Sequence, residues 1–442
     1  MTRLTRRSFL KSTATAAALG GSLSRVAAAQ SANKNGIIGV GVIGLGGRGN
    51  ELAKTFESAK GANVIAVADP DAKRSVGAGE RYEAQAYEDL RELLDDKNVD
   101  AVAIATCNHW HCLAAIWALQ AGKDVYVEKP LSLTVSEGRK MVDAARKYNR
   151  VVQTGTQHRS APHYREVQEI VQSGKLGEVR FVRVWNFVNR FPNGIGNPPD
   201  AAPPEGLDWD FYLGPAPKVP FNPARFLGTF RWFRDYSGGY ITDYGAHRFD
   251  TVQQVMGVTA PKSVSSTGGK FSIKDIGDIP DILQVTYEYP GFVLSYEAIL
   301  LNGFGCGALT PGQKYYNAAG DRDRPHGESY YGTNGTLIAD RIGYEVFPEL
   351  KGRGSKLEPH RMNTTDATKL HAANFIDCVR SRKKPNADVE IGHTSNIVPL
   401  IGNLSYDTGK KLHWDAAKED FTGAPEATKL LSKTARRPWD LI

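Results

Sequence analysis

A glycine turn between two apolar runs constrains this chain more than any other feature. Gly36–Ile43 is an apolar, β-rich run; it leads into Gly44-Leu45-Gly46-Gly47-Arg48-Gly49, after which a helical stretch runs from about Asn50 to Ser58. A second strand, Asn63–Ala68, ends in Asp69, 20 residues beyond Gly49. Glycine-rich turns are common. A G-x-G-x-x-G with a strand before it, a helix after it and an acidic residue at that distance is a dinucleotide-binding pattern. Gly44 permits the tight turn, Gly46 lets the backbone approach a pyrophosphate, and Gly49 lets helix and strand pack closely. The helix N-terminus supplies N–H donors and the positive end of its dipole. Leu45, Gly47 and Arg48 complete the loop. Asp69 would accept hydrogen bonds from the adenosine ribose, which favours NAD. Lys73 and Arg74 follow closely and leave a 2′-phosphate, hence NADP, open.

The alternation continues down the chain. Ala101–Ala105 reads as a short buried strand, His111–Ala121 as a helix, Asp124–Val127 as a strand, Ser136–Tyr148 as a helix and Val151–Thr154 as a further strand. Strands alternating with helices imply a parallel, doubly wound α/β sheet over residues 36–160. Ligands on such sheets sit beyond the carboxyl ends of the strands. That rule singles out Thr106-Cys107-Asn108, Glu128-Lys129-Pro130 and Gln157-His158-Arg159.

Residues 161–442 read differently. Tyr164–Ser173 is a helix and Glu178–Phe187 alternates as a strand. Asn189–Asp235 is long, irregular and rich in Pro, Gly and aromatics: Trp209, Phe211, Tyr212, Phe221, Phe226, Phe230, Trp232 and Phe233. Such a segment inside a compact domain is a functional loop or disorder, and its aromatics argue for order. Apolar faces of sugars stack on such rings, so a carbohydrate-binding wall including Trp232 is one reading; ordinary packing is the other. Ser237–Thr242 opens a helix carrying Asp243 and His247, whose i,i+4 spacing places them on one face. Lys262–Phe271, Ile282–Tyr289 and Phe292–Ala298 read as antiparallel strands, Asn302–Gly335 as a Gly- and Tyr-rich segment, and Gly335–Asp340 as one more strand. Ala367–Ser381 is an amphipathic helix with Leu370, Phe375, Ile376 and Val379 on its apolar face.

Gly44–Gly49, Asp69, Asn108-His109-Trp110-His111, Glu128-Lys129-Pro130 and Asp243-Tyr244-Gly245-Ala246-His247 together resemble the glucose–fructose oxidoreductase / inositol dehydrogenase family, Gfo/Idh/MocA, from about Gly36 to Trp414. One departure is Cys107, where a proline often precedes the Asn. The resemblance implies an N-terminal Rossmann domain with a doubly wound parallel sheet, then a C-terminal α/β domain with an open, mostly antiparallel sheet for substrate binding and oligomerisation. It implies hydride transfer between NAD or NADP and a sugar, polyol or related compound, in a homodimer or homotetramer. The strand-end rule and this resemblance together place Thr106, Asn108, His111, Glu128 and Gln157 with the glycine turn at the cofactor, and Lys129, His158, Arg159, Asp243 and His247 at the substrate, with Trp232 added from the aromatic segment.

The chemistry suits those residue types. Oxidising a carbinol requires removal of the hydroxyl proton, and His247 has a suitable pKa for a general base. Asp243 would orient its imidazole or hold a neighbouring hydroxyl. Lys129 would stabilise developing charge on the reacting oxygen. Exported relatives that cleave glycosides with bound NAD provide an alternative, a redox-neutral glycosidase or lyase; the presence of Lys129 tilts toward a dehydrogenase. A third alternative, a non-catalytic sugar-binding protein, would be signalled by loss of Lys129 or His247, and both are here. His109, His111 and Asp250 are metal-ligand types, but their spacing matches no metal site.

Charge adds a compartment. The chain of 442 residues has 55 Lys+Arg against 48 Asp+Glu, a net of +7. Five of the basic residues, Arg3, Arg6, Arg7, Lys11 and Arg25, lie in residues 1–29, which hold no acidic residue; without them the body carries about +2. A body so balanced gives no support for nucleic-acid binding. Arg6-Arg7-Ser8-Phe9-Leu10-Lys11, an Ala- and Gly-rich run, and Ala27-Ala28-Ala29 resemble a twin-arginine export signal cleaved near Ala29, an address read by the export machinery and no stable membrane anchor. The expectation is a periplasmic or otherwise exported enzyme. Free NAD is scarce there, so its cofactor would be tightly bound and recycled in place.

Overall fold

The computed structural model describes residues 36–305, 324–349, 360–363 and 367–440, all within one compact unit. The expected export address at 1–29 and residues 306–323 of the Gly- and Tyr-rich segment lie outside the described residues.

Apolar runs that are buried on both faces build the first sheet, as a parallel sheet between helical layers requires. Its strands are β1 (Ile38–Ile43), β2 (Ala62–Ala68), β3 (Gln85–Tyr87), β4 (Ala101–Ile104), β5 (Asp124–Val127) and β6 (Val152–Thr154). They are all parallel, in the order β3-β2-β1-β4-β5-β6. Connections leave β1 in opposite directions, so a crevice opens beyond the carboxyl ends of β1 and β4. β3 has no expectation behind it: three partly exposed residues make no apolar signal. Two helices begin three residues before their expected starts, at Gly47 and Asn108. The first N–H groups of a helix need no intrahelical partner, so local propensity marks those starts poorly.

The second sheet has ten strands. β7 (Phe181–Phe187), β8 (Ser263–Gly269), β9 (Ile282–Tyr289), β10 (Phe292–Ile299), β11 (His326–Gly332), β12 (Gly335–Ala339), β13 (Gly343–Pro348), β14 (His360–Asn363), β15 (Leu412–Asp415) and β16 (Asp420–Thr422) run in the order β14-β13-β12-β11-β7-β10-β9-β8-β15-β16. Only β7 and β10 pair in parallel; the other pairs are antiparallel. The expected open, mostly antiparallel sheet is present. Five of its strands were not expected: β11, β13 and β14 carry no clean alternation, and β15 and β16, though they alternate, are only four and three residues long. Helices Pro162–Gln172, Gly245–Met256 and Val389–Thr408 supply one layer of its core, where Tyr164, Phe249, Val398 and Ile401 meet Val184, Tyr287 and Tyr296.

The chain does not leave the first sheet for good after β6. Helix Thr368–Ser381 returns to pack Phe375 and Ile376 against Val40, Phe56 and Tyr126. Its buried stripe is His371, Ala372, Phe375, Ile376 and Cys378, whereas Leu370 is 51% exposed and Val379 only partly buried. Leu370 therefore does not belong to the core face assigned to it; the stripe lies slightly further round the helix, where small Ala372 lets the helix approach the sheet. The next helix, Val389–Thr408, spans both cores, with Val389 in the first and Ile397–Ile401 in the second. Phe375 is fully buried, its ring 6.0 Å from Phe56 and 5.9 Å from Tyr126. Phe375→Ala is therefore expected to lower stability by about 3–5 kcal/mol, read from the denaturant midpoint; a loss of less than about 1 kcal/mol would refute this docking.

Candidate active site

The turn after β1 has the shape its glycines predict. Gly44 sits at φ +86°, and a Cβ there would lie 2.8 Å from the Thr106 nitrogen. A Cβ on Gly49 would lie 1.7 Å from the Gly44 carbonyl oxygen, so helix and turn touch backbone to backbone. A Cβ on Gly46 or Gly47 would meet nothing within 4 Å. That open space lies at the N-terminus of helix Gly47–Glu57, which has neither a side-chain cap nor an acidic first turn. Uncapped N–H groups beside open space fit a pyrophosphate. Leu45 is buried; its N–H donates to Asp69 Oδ2 at 2.7 Å, and the Asp71 N–H donates to Oδ1 at 3.0 Å.

Gly44, Gly46, Gly47, Arg48, Asp69, Thr106, Asn108, His111, Glu128 and Lys129 line one cavity of about 490 Å³. Burial raises the Asp69 carboxyl above the usual carboxylate range. Arg74 lines the same wall, its Nε 3.1 Å from Asp71 Oδ2, while Lys73 is exposed and outside it. The Arg48 Nε donates to Glu128 Oε1 at 2.6 Å, and the Glu128 carboxylate accepts the Lys129 N–H at 3.1 Å. His111 braces two strand ends, its Nδ1 2.7 Å from the Pro130 oxygen and its Nε2 3.2 Å from the Thr106 oxygen. Asn108 Nδ2 donates to Ser237 Oγ at 2.8 Å, tying the β4 end to the second domain.

A second cavity, of about 550 Å³, shares Arg48, Glu128, Lys129, Gly228 and Arg231 with the first and adds Gln157, His158, Arg190, Trp232, Asp243, Tyr244, His247 and His326. Lys129 lies at the junction. Its Nζ donates to Asp243 Oδ1 at 2.7 Å and to the Asp243 carbonyl at 3.0 Å, while the Arg231 Nε reaches Asp243 Oδ2 at 2.9 Å. Burial opposes charge on Asp243, but Arg231 and Lys129 outweigh it and hold the carboxyl well below the usual range.

This pairing corrects the expectation that Asp243 orients the His247 imidazole. The expected single helix is two, Tyr240–Asp243 and Gly245–Met256, with a break at Tyr244, and Asp243 turns to the cations instead. His247 Nδ1 is buried without a partner, and the ring stacks on His158 at 4.9 Å and 29°. Burial, then Lys129, push the His247 imidazole far below its ordinary pKa; burial and His247 do the same to His158. Both shifts favour the neutral imidazole.

Two further expectations change. Arg159 lines neither cavity: its Nε pairs with the buried Asp250 carboxylate at 2.8 Å. Of the aromatic segment's rings, Trp232 alone lines the second cavity. Phe211, Tyr212, Phe226 and Phe230 face the first cavity, while Trp209 packs on Phe221 and Tyr212, and Phe233 on Tyr236, within the same apolar cluster. Trp232 lines the second, but Arg190 lies over its ring at 5.3 Å. The segment folds back across the nucleotide side because its rings find a mutual apolar cluster there. Tyr244, from the quoted Asp243–His247 motif, joins the site at the break between two helices, while Arg190, Arg231 and His326 join it without a sequence signal, standing respectively in irregular chain, in the short turn Leu227–Trp232 and at the start of a strand of mixed polarity.

Residues 38–156 match the family described as an oxidoreductase family with an NAD-binding Rossmann fold, and residues 162–291 and 328–441 match its C-terminal alpha/beta domain. Similar curated proteins include an uncharacterized oxidoreductase of Rhizobium meliloti, 35% identical over 182 residues (41% of this chain, 53% of the relative), and the inositol 2-dehydrogenase of Salmonella typhimurium, 35% identical over 148 residues (33% and 43%). The chain thus spans about half the length of these relatives. The myo-inositol 2-dehydrogenase of Thermotoga maritima is 27% identical over 377 residues, covering 83% of this chain and 96% of that one. Among solved structures, the aldose-aldose oxidoreductase of Caulobacter crescentus and a levoglucosan dehydrogenase complexed with NADH and levoglucosan each superpose with TM-score 0.63 at 18% identity, over 85% of this chain and 99% of theirs. At that identity they speak to the fold.

The position of Asp69 gives a test on cofactor choice. Asp69→Ala is expected to weaken NADH binding and lower discrimination against NADPH by about tenfold or more, the worth of a hydrogen bond to a charged group, measured by fluorescence titration with both nucleotides. Unchanged discrimination would remove Asp69 from the ribose site.

Proposed function

The chain belongs to the Gfo/Idh/MocA oxidoreductase family, and on that premise we propose that it transfers hydride between a hydroxyl of a sugar or sugar derivative and a tightly held NAD. The observation that carries the proposal is Lys129, which lines both cavities beside a neutral His247. The inositol dehydrogenases among its relatives support a polyhydroxylated substrate.

NAD, when bound, supplies the hydride acceptor. The first cavity would hold it through the N–H groups behind Gly46 and Gly47, with Asp69 at the ribose. The substrate carbinol would lie in the second cavity with its oxygen at Lys129 Nζ. That ammonium donates to the oxygen and stabilises the negative charge that develops there. His247, being neutral, has a lone pair to take the hydroxyl proton as the carbinol hydrogen departs with its electron pair. The Asp243 carboxylate, fixed by Arg231, aims Lys129 and keeps its charge compensated. In the reverse direction His247 returns the proton to a carbonyl oxygen.

Arg6-Arg7 and Ala27-Ala28-Ala29 support export, and a row of side chains on the second sheet supports self-association. Val293 pairs in register with Phe181, and Phe181 with Tyr331; each of these, like Phe347 two strands further on, is 38% exposed. Both readings are checked on one preparation. Protein from the periplasm of an expressing bacterium is expected to be lost with Arg6→Lys/Arg7→Lys and to scatter light with at least twice the mass of one chain. Periplasmic yield indifferent to the pair refutes export by this route, and a monomer mass refutes the association.

The catalytic reading is tested on natively purified enzyme with bound nucleotide quantified. Lys129→Ala and His247→Ala are each expected to lower the rate of NAD reduction with a cognate sugar by about 10²–10⁴ while NADH binding persists. The His247 pKa lies below its ordinary value, so the base stays unprotonated until the pH falls through that lower value. The acid limb of kcat/KM should therefore lie below about pH 6.5. A limb at or above that value, or full activity in His247→Ala, removes the base; aryl glycoside cleavage without net NADH would identify the redox-neutral alternative.

A further inference from the structure

The wall of the first cavity opposite the glycine turn belongs to neither sheet. It is the segment 207–231, which contributes Phe211, Tyr212, Phe226 and Phe230, and it contains only short helical turns. Its own ring cluster and the Arg231–Asp243 pair hold it from within, and the far end of the chain adds a second hold at residues 210–216.

Arg436 is bound almost entirely to residues 210–216. Its Nε–H is shared between the Gly214 and Ala216 carbonyls at 3.0 Å each, Nη2 donates to the Asp210 carbonyl at 2.9 Å, and Nη1 pairs with Asp210 Oδ1 at 2.9 Å. Its backbone N–H donates to the Pro215 carbonyl at 2.9 Å. A guanidinium engaged through its rigid fork of donors holds geometry as well as charge. Three residues on, Trp439 is 6% exposed and meets Trp110 at 5.3 Å and Phe211 at 5.2 Å, both edge-on, while those two rings stack at 5.3 Å. Edge-on and stacked arrangements are the favourable ones for aromatic pairs. Trp110 and Phe211 both line the cavity. The loop is pressed onto that cluster: Trp110 Nε1 donates to the Tyr212 carbonyl at 2.9 Å, and a Cβ on Gly214 would lie 2.2 Å from the indole.

We propose that Arg436 and Trp439 latch the 207–231 segment over the bound dinucleotide, so that the cofactor leaves only after the C-terminal tail lets go. The inference rests on the reading that the first cavity takes NAD. It assigns cofactor retention to two residues more than 200 positions from the segment they hold. A slow-release nucleotide site suits an enzyme that recycles its cofactor in place.

The test uses the full chain loaded with NADH and chased with excess NAD in a stopped-flow fluorimeter. Arg436→Ala and Trp439→Ala are expected to release NADH about tenfold or more faster, with association changed by less than about threefold, as expected when an interaction acts on dissociation. Arg437→Ala, at an exposed neighbouring position, should release as the wild type does. Should Trp439→Ala fail to fold, Arg436→Ala decides. Release from Arg436→Ala within about twofold of wild type, with wild type binding NADH normally, overturns the latch alone. A wild-type chain that takes up no NADH overturns the cofactor reading and the latch with it.

Discussion

The carboxylate of Asp243 joins parts of the chain that lie far apart in sequence. It lies between Lys129, from the loop after β5, and Arg231, from the irregular segment that walls the first cavity. Removing one partner from a buried charge group leaves another uncompensated, at a cost of about 3–5 kcal/mol. The contact therefore fixes the second domain against the carboxyl edge of the first sheet, and the two cavities meet at its ammonium. Because both carboxylate oxygens are committed, His247 is left without an acidic partner. It stacks on His158 instead, and burial, then the cations around it, push its imidazole well below the ordinary value.

Around that contact the chain doubles back twice. Helix Thr368–Ser381 returns to the first sheet, and the tail at Arg436–Trp439 returns to the segment over the nucleotide cavity. Helix Val389–Thr408 runs through both cores. The site between the sheets is thus built on elements that are each held from two sides, which suits chemistry sensitive to displacements of an ångström or less. A cavity walled by a tail-braced segment also accords with a nucleotide that stays while substrates change.

Most of the first sheet was legible in the sequence because buried parallel strands are continuous apolar runs and the glycine turn has fixed spacing. β3 was not, being three partly exposed residues. In the second sheet, β9 and β10 were legible from alternation and a Pro-Gly turn, whereas β11, β13 and β14 mix polarities and β15 and β16 are too short for their alternation to show. The amphipathic helix at 368–381 was legible as a helix; that it serves the first sheet was not, since periodicity shows an apolar face without saying what covers it. Spacing singled out Asp243 and His247 but suggested they face each other, and Arg231 was invisible because a single short turn carries no period.

The sequence by itself determined the dinucleotide turn, the family, and the residue types at the strand ends, because local backbone geometry and residue spacing dictate them. Only the tertiary structure decided which charges pair. Asp243 chose Lys129 and Arg231 over His247, Arg159 turned to Asp250, and the aromatic segment closed over the nucleotide side. Those choices depend on distance and burial between residues far apart in the chain, where Coulomb attraction and desolvation are settled in space.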